Sequence, residues 1–172
     1  STGVTVQTFV SQADPHLGLR PVAPGPLCVI GIRQYGMTGG NPMEKRVFQL
    51  KVTLCRTKPP IWRRLEVPAD TTLGRLHDVV QFAMGWFDCH LHQFVAKGVC
   101  YGVPDPEFGP EMEDENKVRL DQVLRKPKDK LTYEYDFGDS WYHDIVLEKA
   151  LPGSNGKRYP VVTGGRGACP PE

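Results

Sequence analysis

Three groups of residues have the types and spacing that chemistry requires. Asp88, His90 and His92 recur at intervals of two. On an extended strand such residues project to one side, which would gather two imidazoles and a carboxylate. That donor set suits a divalent metal ion with an open position for activating water. A structural reading competes with it, because Phe94 and Ala96 share the parity and histidines at a strand end are often simply hydrogen-bonded. Asp136, Asp139 and His143 form the second group, a carboxylate that would orient an imidazole base. The third is Trp62-Arg63-Arg64, an aromatic platform beside two guanidinium groups, able to stack on bases and pair with phosphates. A strand edge decorated with charge against self-association explains the same residues without a ligand.

The elements that hold these groups follow from periodicity. Phe48, Leu50, Val52 and Leu54 alternate with Gln49, Lys51 and Thr53, the pattern of a half-buried strand. After Pro59-Pro60, Ile61, Arg63, Leu65 and Val67 alternate with Trp62, Arg64 and Glu66, which predicts a second strand antiparallel to the first. Arg63 then shares the apolar side, as expected only if this strand is an edge or the arginine meets an acid. Thr71 or Thr72 offers a helix cap and Gly85 a left-handed stop. Between them Leu73, Leu76, Val80, Ala83 and Met84 share a face, with His77 at its edge. Val79, Phe82 and Trp86 lie on another side and call for a cover, from the N-terminal segment or a partner.

A third alternating run covers His90 to Ala96, with a turn at Lys97-Gly98 and a short return strand to Tyr101. Val118 to Leu124 reads as a brief helical turn. Leu131, Tyr133, Tyr135 and Phe137 alternate, as do Trp141, His143, Ile145 and Leu147. A two-residue loop at Gly138-Asp139 would put Glu134 and Asp136 on the apolar side. A three-residue loop, Gly138 to Ser140, pairs Phe137 with Trp141 and Tyr135 with His143, so that the large apolar groups share one face. His143 then points away from Asp136, and the Asp-Phe-Gly-Asp segment is better read as a turn than as a catalytic pair. The expected fold is α+β: a mixed, largely antiparallel β-sheet with one main helix packed on one face, in a β-grasp-like outline.

The chain has 172 residues, with Lys+Arg 21 against Asp+Glu 20. This near balance says nothing about partners by itself, so the distribution of charge matters. The charges are nevertheless segregated. Seven basic residues and one acid lie between Lys45 and Glu66, while six acids and no base lie from Asp105 to Glu115, a stretch read as a solvated loop. Residues 1–42 are rich in Gly and Pro and lack a sustained period, as expected of a tail or upstream extension. The runs Val4 to Val10 and Leu27 to Ile32 within it could each supply a strand. Five scattered cysteines without a CxxC spacing indicate neither a disulfide framework nor a zinc knuckle. With no apolar run of membrane-spanning length and no secretory leader pattern, a cytoplasmic location with reduced thiols is expected.

Several words of the sequence are familiar together: Lys58-Pro-Pro-Ile-Trp-Arg-Arg, Val67-Pro-Ala-Asp-Thr-Thr-Leu, Leu76-His77, Met84-Gly-Trp, His90-Leu-His, Tyr135-Asp-Phe-Gly-Asp-Ser-Trp, His143 and Ala168-Cys-Pro-Pro-Glu. In this order, from about Val47 to Glu172, the chain resembles the Ri-plasmid open-reading-frame-three-like family. These are small proteins of plasmids and chromosomes, some of them passengers of insertion elements. The resemblance implies no particular activity, but it implies a single domain over residues 43–172, shortened at its C-terminus relative to members that continue into another cysteine and a glycine-rich stretch. The expected function is a small non-catalytic binding or interaction module with a protein or nucleic-acid partner and no membrane, possible nucleic-acid contact falling to Trp62, Arg63 and Arg64. The alternative is a metal-assisted hydrolase holding a divalent metal on Asp88, His90 and His92.

Overall fold

A computed structural model of the chain describes residues 46–105, 107 and 111–171. The expectations for residues 1–42, including their two candidate strands, fall outside the described residues. Eight strands form one sheet in the order β5-β4-β3-β6-β7-β1-β2-β8. They are β1 (Arg46–Leu54), β2 (Ile61–Pro68), β3 (His92–Ala96), β4 (Val99–Gly102), β5 (Glu113–Asp114), β6 (Lys130–Tyr135), β7 (Trp141–Pro152) and β8 (Val161–Arg166). Helix α1 (Leu73–Met84) joins β2 to β3, and the short α2 (Leu120–Val123) precedes β6. All pairings are antiparallel except β4 with β5, which is parallel, so the sheet is mixed.

The alternation in β1 becomes burial: Phe48, Leu50, Val52 and Leu54 are in the core. Leu65 and Val67 of β2, Phe94 and Ala96 of β3, Leu131, Tyr133 and Tyr135 of β6, and Ile145 and Leu147 of β7 join the same cluster, as do Leu73, Leu76, Val80 and Met84 of α1. The helix starts where expected. Thr72 Oγ1 accepts from the Arg75 N–H at 3.4 Å. At the other end Gly85 adopts φ 83, a left-handed conformation that costs an L side chain about 1 kcal/mol or more, and its N–H reaches Gln81 O and Phe82 O. Lys97 and Gly98, with φ 52 and 81, make the tight turn between β3 and β4.

Four expectations change. Strand β2 is not an edge, because β8 pairs along its outer side from Glu66 to Trp62. The β6–β7 connection is longer than three residues: Tyr135 faces Trp141, Tyr133 faces His143 and Leu131 faces Ile145. That register is displaced by two positions from the expected one, which preserves every side chain's face and leaves Phe137 out of the ladder and exposed. Strand β3 begins at His92 rather than His90, and Asp88 at φ 59 lies outside any extended strand shared with the histidines. Val79 and Trp86 need no outside cover, for both are buried within the domain; only Phe82 of that group is exposed.

Candidate functional site

The residues between α1 and β3, from Gly85 to Leu91, separate two features: a buried polar cluster and an open cleft. The cluster is built on His77, the histidine at the edge of the helix stripe. A buried imidazole needs partners, and His77 has one at each nitrogen: Nδ1 lies 2.8 Å from Tyr133 Oη and Nε2 lies 2.9 Å from Asp88 Oδ1. Gln81, one turn further along α1, donates from Nε2 to Tyr133 Oη at 2.9 Å and accepts the Asp88 N–H on Oε1 at 3.1 Å. The amide orientation of Gln81 is therefore set by the backbone, and the ring of contacts closes on itself.

Protonation follows from this geometry. Burial, reinforced by the neighbouring His92, lowers the pKa of His77, while burial pushes the Tyr133 phenol upward. A neutral His77 donates from Nε2 to the Asp88 carboxylate and accepts the Tyr133 O–H on Nδ1, the tautomer that satisfies all three groups. His92 stacks on His77 with ring centroids 3.5 Å apart and planes 8° from parallel. Its Nε2 lies 2.9 Å from Oε2 of Glu115, a carboxylate only 3% exposed. One ligand atom each from His77, Asp88 and His92 lie within 4.8 Å of one another. The expected metal group thus keeps Asp88 and His92 and loses His90.

His90 stands elsewhere. Its backbone N–H donates to Tyr135 Oη at 3.2 Å, its ring meets Tyr135 edge-on, and its Nε2 is 3.7 Å from Asp136 Oδ2. It lines a cleft of about 460 Å³ together with Met84, Gly85, Trp86, Phe87, Cys89 and the Cys169-Pro170-Pro171 segment. Two distant family words meet here. The Trp86 indole N–H donates to Pro170 O at 3.0 Å, and Cys169 Sγ lies 3.3 Å from Met84 Sδ. Burial raises the Cys169 pKa, with the Arg63 charge acting in the opposite sense. The four described cysteines form no disulfide with one another.

His143 packs between the two features without donating to either. It is fully buried between the Trp86 and Tyr133 rings and donates from Nδ1 to Trp141 O at 2.9 Å. Asp139 is exposed and lends its backbone N–H to Asp136 Oδ1 at 3.4 Å. The candidate pair Asp139 and His143 is thus not brought together; of that group, Asp136 is the acid that lies near an imidazole, that of His90.

The Trp62-Arg63-Arg64 edge is also occupied internally. Arg63 donates from Nε to Ala83 O at 2.9 Å, at the helix end where carbonyls lack partners, and from a terminal nitrogen to Cys169 Sγ at 3.3 Å. This explains an arginine on the apolar side of β2 without an acid. Arg64 holds Glu148 in a two-pronged pair at 2.7 and 3.0 Å and lies 5.1 Å from the Trp62 ring, which also faces Lys51 at 5.3 Å. A phosphate would have to displace these partners. Of the basic run read from the sequence, Arg64 pairs with Glu148 and Arg46 lies 3.6 Å from Asp121.

Sequence reasoning missed Tyr133, Gln81 and Glu115 as members of a site. A histidine on an apolar helix stripe was a signal that a polar partner must exist. Glu115 gave no signal, since it ends a run of acids of which Asp105, Glu107 and Glu111 are exposed.

The sequence profile of the plasmid pRiA4b ORF-3-like proteins matches residues 46–172. The uncharacterized protein y4hQ of Sinorhizobium fredii is 40% identical over 131 residues, 76% of this chain and 67% of the relative. The crystal structure of MM3350 from Methanosarcina mazei Go1, titled a protein of unknown function, superposes with a TM-score of 0.69 at 35% identity, covering 76% of this chain and 75% of that one. No catalytic activity is indicated by these relatives, and among the described residues no helix is long and apolar enough to cross a membrane. The sequence words, the fold and these likenesses agree, and the chain belongs to the plasmid pRiA4b ORF-3-like family.

Proposed function

We propose that the domain is a non-catalytic binding module whose contact surface is the cleft between the end of α1 and the Cys169-Pro-Pro segment. The observation that carries this reading is the joining of Met84-Gly-Trp to Cys-Pro-Pro around an open concavity. Among the described residues its lining includes no carboxylate and no lysine or arginine, which favours an uncharged apolar group over a phosphate backbone. Phe87 is 84% exposed on the lining, and Leu91, further along the same connection, is 73% exposed, apolar surface that such a group could cover. The partner chemistry this fits is a protein segment that presents an aromatic or aliphatic anchor. A mobile-element context is suggested by the family's company alone. We read the domain as grasp-like, with α1 covering one sheet face; membership of α1 and sheet residues in one core cluster supports that outline.

Titrating isotope-labelled protein with N-acetyl-tryptophanamide, and separately with N-acetyl-leucinamide, tests the cleft. The Trp86 indole N–H and the Phe87 and Cys89 amides should shift together and saturate. Shifts spread evenly over the surface, or none that saturate, would remove the proposal.

A further inference from the structure

We propose that the His77–His92 cluster is a binding site for one divalent transition-metal ion of the zinc type, independently of what the cleft binds. Two imidazoles and a carboxylate converge within 4.8 Å, and the Glu115 carboxylate stands 2.9 Å from His92 as a further donor. Mixed nitrogen and oxygen donors select zinc and its neighbours in the first transition row; calcium and magnesium demand oxygen throughout. The surroundings are those that metal ligands require. Tyr133 holds the far nitrogen of His77, Gln81 holds Tyr133, and Gln81 also takes the backbone N–H of Asp88, so two ligands are oriented through one side chain. Access is from one direction: the Asp88 side chain is 58% exposed, while those of His77, His92 and Glu115 are 5, 11 and 4% exposed.

The stacked rings define what binding must change. A ligated ion lies in the plane of each imidazole, and one ion cannot lie in two planes that are nearly parallel and 3.5 Å apart. The stacked arrangement, in which each imidazole is satisfied by a carboxylate, therefore does not itself ligate an ion. Binding an ion there must take the place of those hydrogen bonds and part the rings.

The 172-residue chain, treated with chelator and dialysed, then titrated with zinc by calorimetry and with cobalt(II) by visible absorption, tests this. One ion per chain is expected, with cobalt bands of a low-coordinate site, no heat from calcium or magnesium, and loss of the mutual ring-current shift of His77 and His92 by NMR. Asp88→Asn and His92→Gln keep hydrogen-bonding groups in place and should each weaken binding roughly tenfold or more. His90→Asn, outside the cluster, should bind zinc as the parent does. Absence of binding to the unmodified chain, binding that leaves the ring-current shift intact, or binding abolished by His90→Asn but untouched by Asp88→Asn overturns the assignment.

Discussion

His143 carries the clearest consequence of burial on a single side chain. Desolvation brings its pKa from the ordinary 6.5 down to about 4, outweighing the hydrogen bond to Trp141 O. Its Nδ1–H is used there, which leaves Nε2 as a lone pair with no partner among the described residues. The unfolded chain takes up a proton near pH 6.5 and the native chain only near pH 4, so the native state binds fewer protons across that window. Stability is complete above pH 6.5 and falls with acid until about pH 4, by roughly 3 kcal/mol in all. His77, whose pKa is lowered in the same direction, adds to the loss. Urea melts of His143→Phe at several pH values should show a shallower acid slope than the parent. At neutral pH the change should stay within about 2 kcal/mol, since Trp141 O loses a donor but a buried unpaired acceptor disappears as well. An unchanged slope would place the acid sensitivity in other groups.

The β6–β7 hairpin shows what periodicity can and cannot settle. The apolar alternation of Leu131, Tyr133, Tyr135 with Trp141, His143, Ile145 fixed which side chains face the core, because any even displacement preserves parity. It did not fix the loop length. That is set by Asp136, which sits at φ 57 and accepts the Gly138 N–H on Oδ1 at 2.9 Å, while the Ser140 N–H returns to Asp136 O at 2.6 Å. Phe137 looks like a strand residue by type but lies in this turn. Asp136→Asn should be nearly neutral, since Asn keeps the acceptor and tolerates positive φ, whereas Asp136→Ala should cost about 1 to 2 kcal/mol in denaturant melts. Equal stability of the two variants would deny the side chain that role. Other elements were legible for local reasons: β1 by its alternation, α1 by Thr72 and Gly85, the β3–β4 turn by Lys97-Gly98. Strand β8 was not, because Thr163-Gly-Gly-Arg has no apolar period, and Glu113–Asp114 is too short to show one. The polar cluster was partly legible, since Asp88 and His92 share a parity in sequence, but His77 and Gln81 arrive from the helix and Tyr133 from β6.

The size of the folding unit is the remaining question, and the pattern of pairing bears on it. Strand β1, the first described element, is already central, paired with β2 on one side and β7 on the other, so nothing before it is needed to complete its ladder. The core cluster among the described residues runs from Phe48 to Leu147 and includes packing from Cys169 near the other end of the sequence. The family match also begins at residue 46. These observations support the proposal that residues 43–172 form the domain and that residues 1–42 are an extension of it. Deleting residues 1–42 should therefore leave the melting transition cooperative and its free energy within about 2 kcal/mol of the full chain. The outer side of β8 has no strand beside it among the described residues, and it is where an added strand could dock. A larger loss on deletion, accompanied by faster amide exchange confined to Val161–Arg166, would mean that the extension pairs with that edge and belongs to the domain.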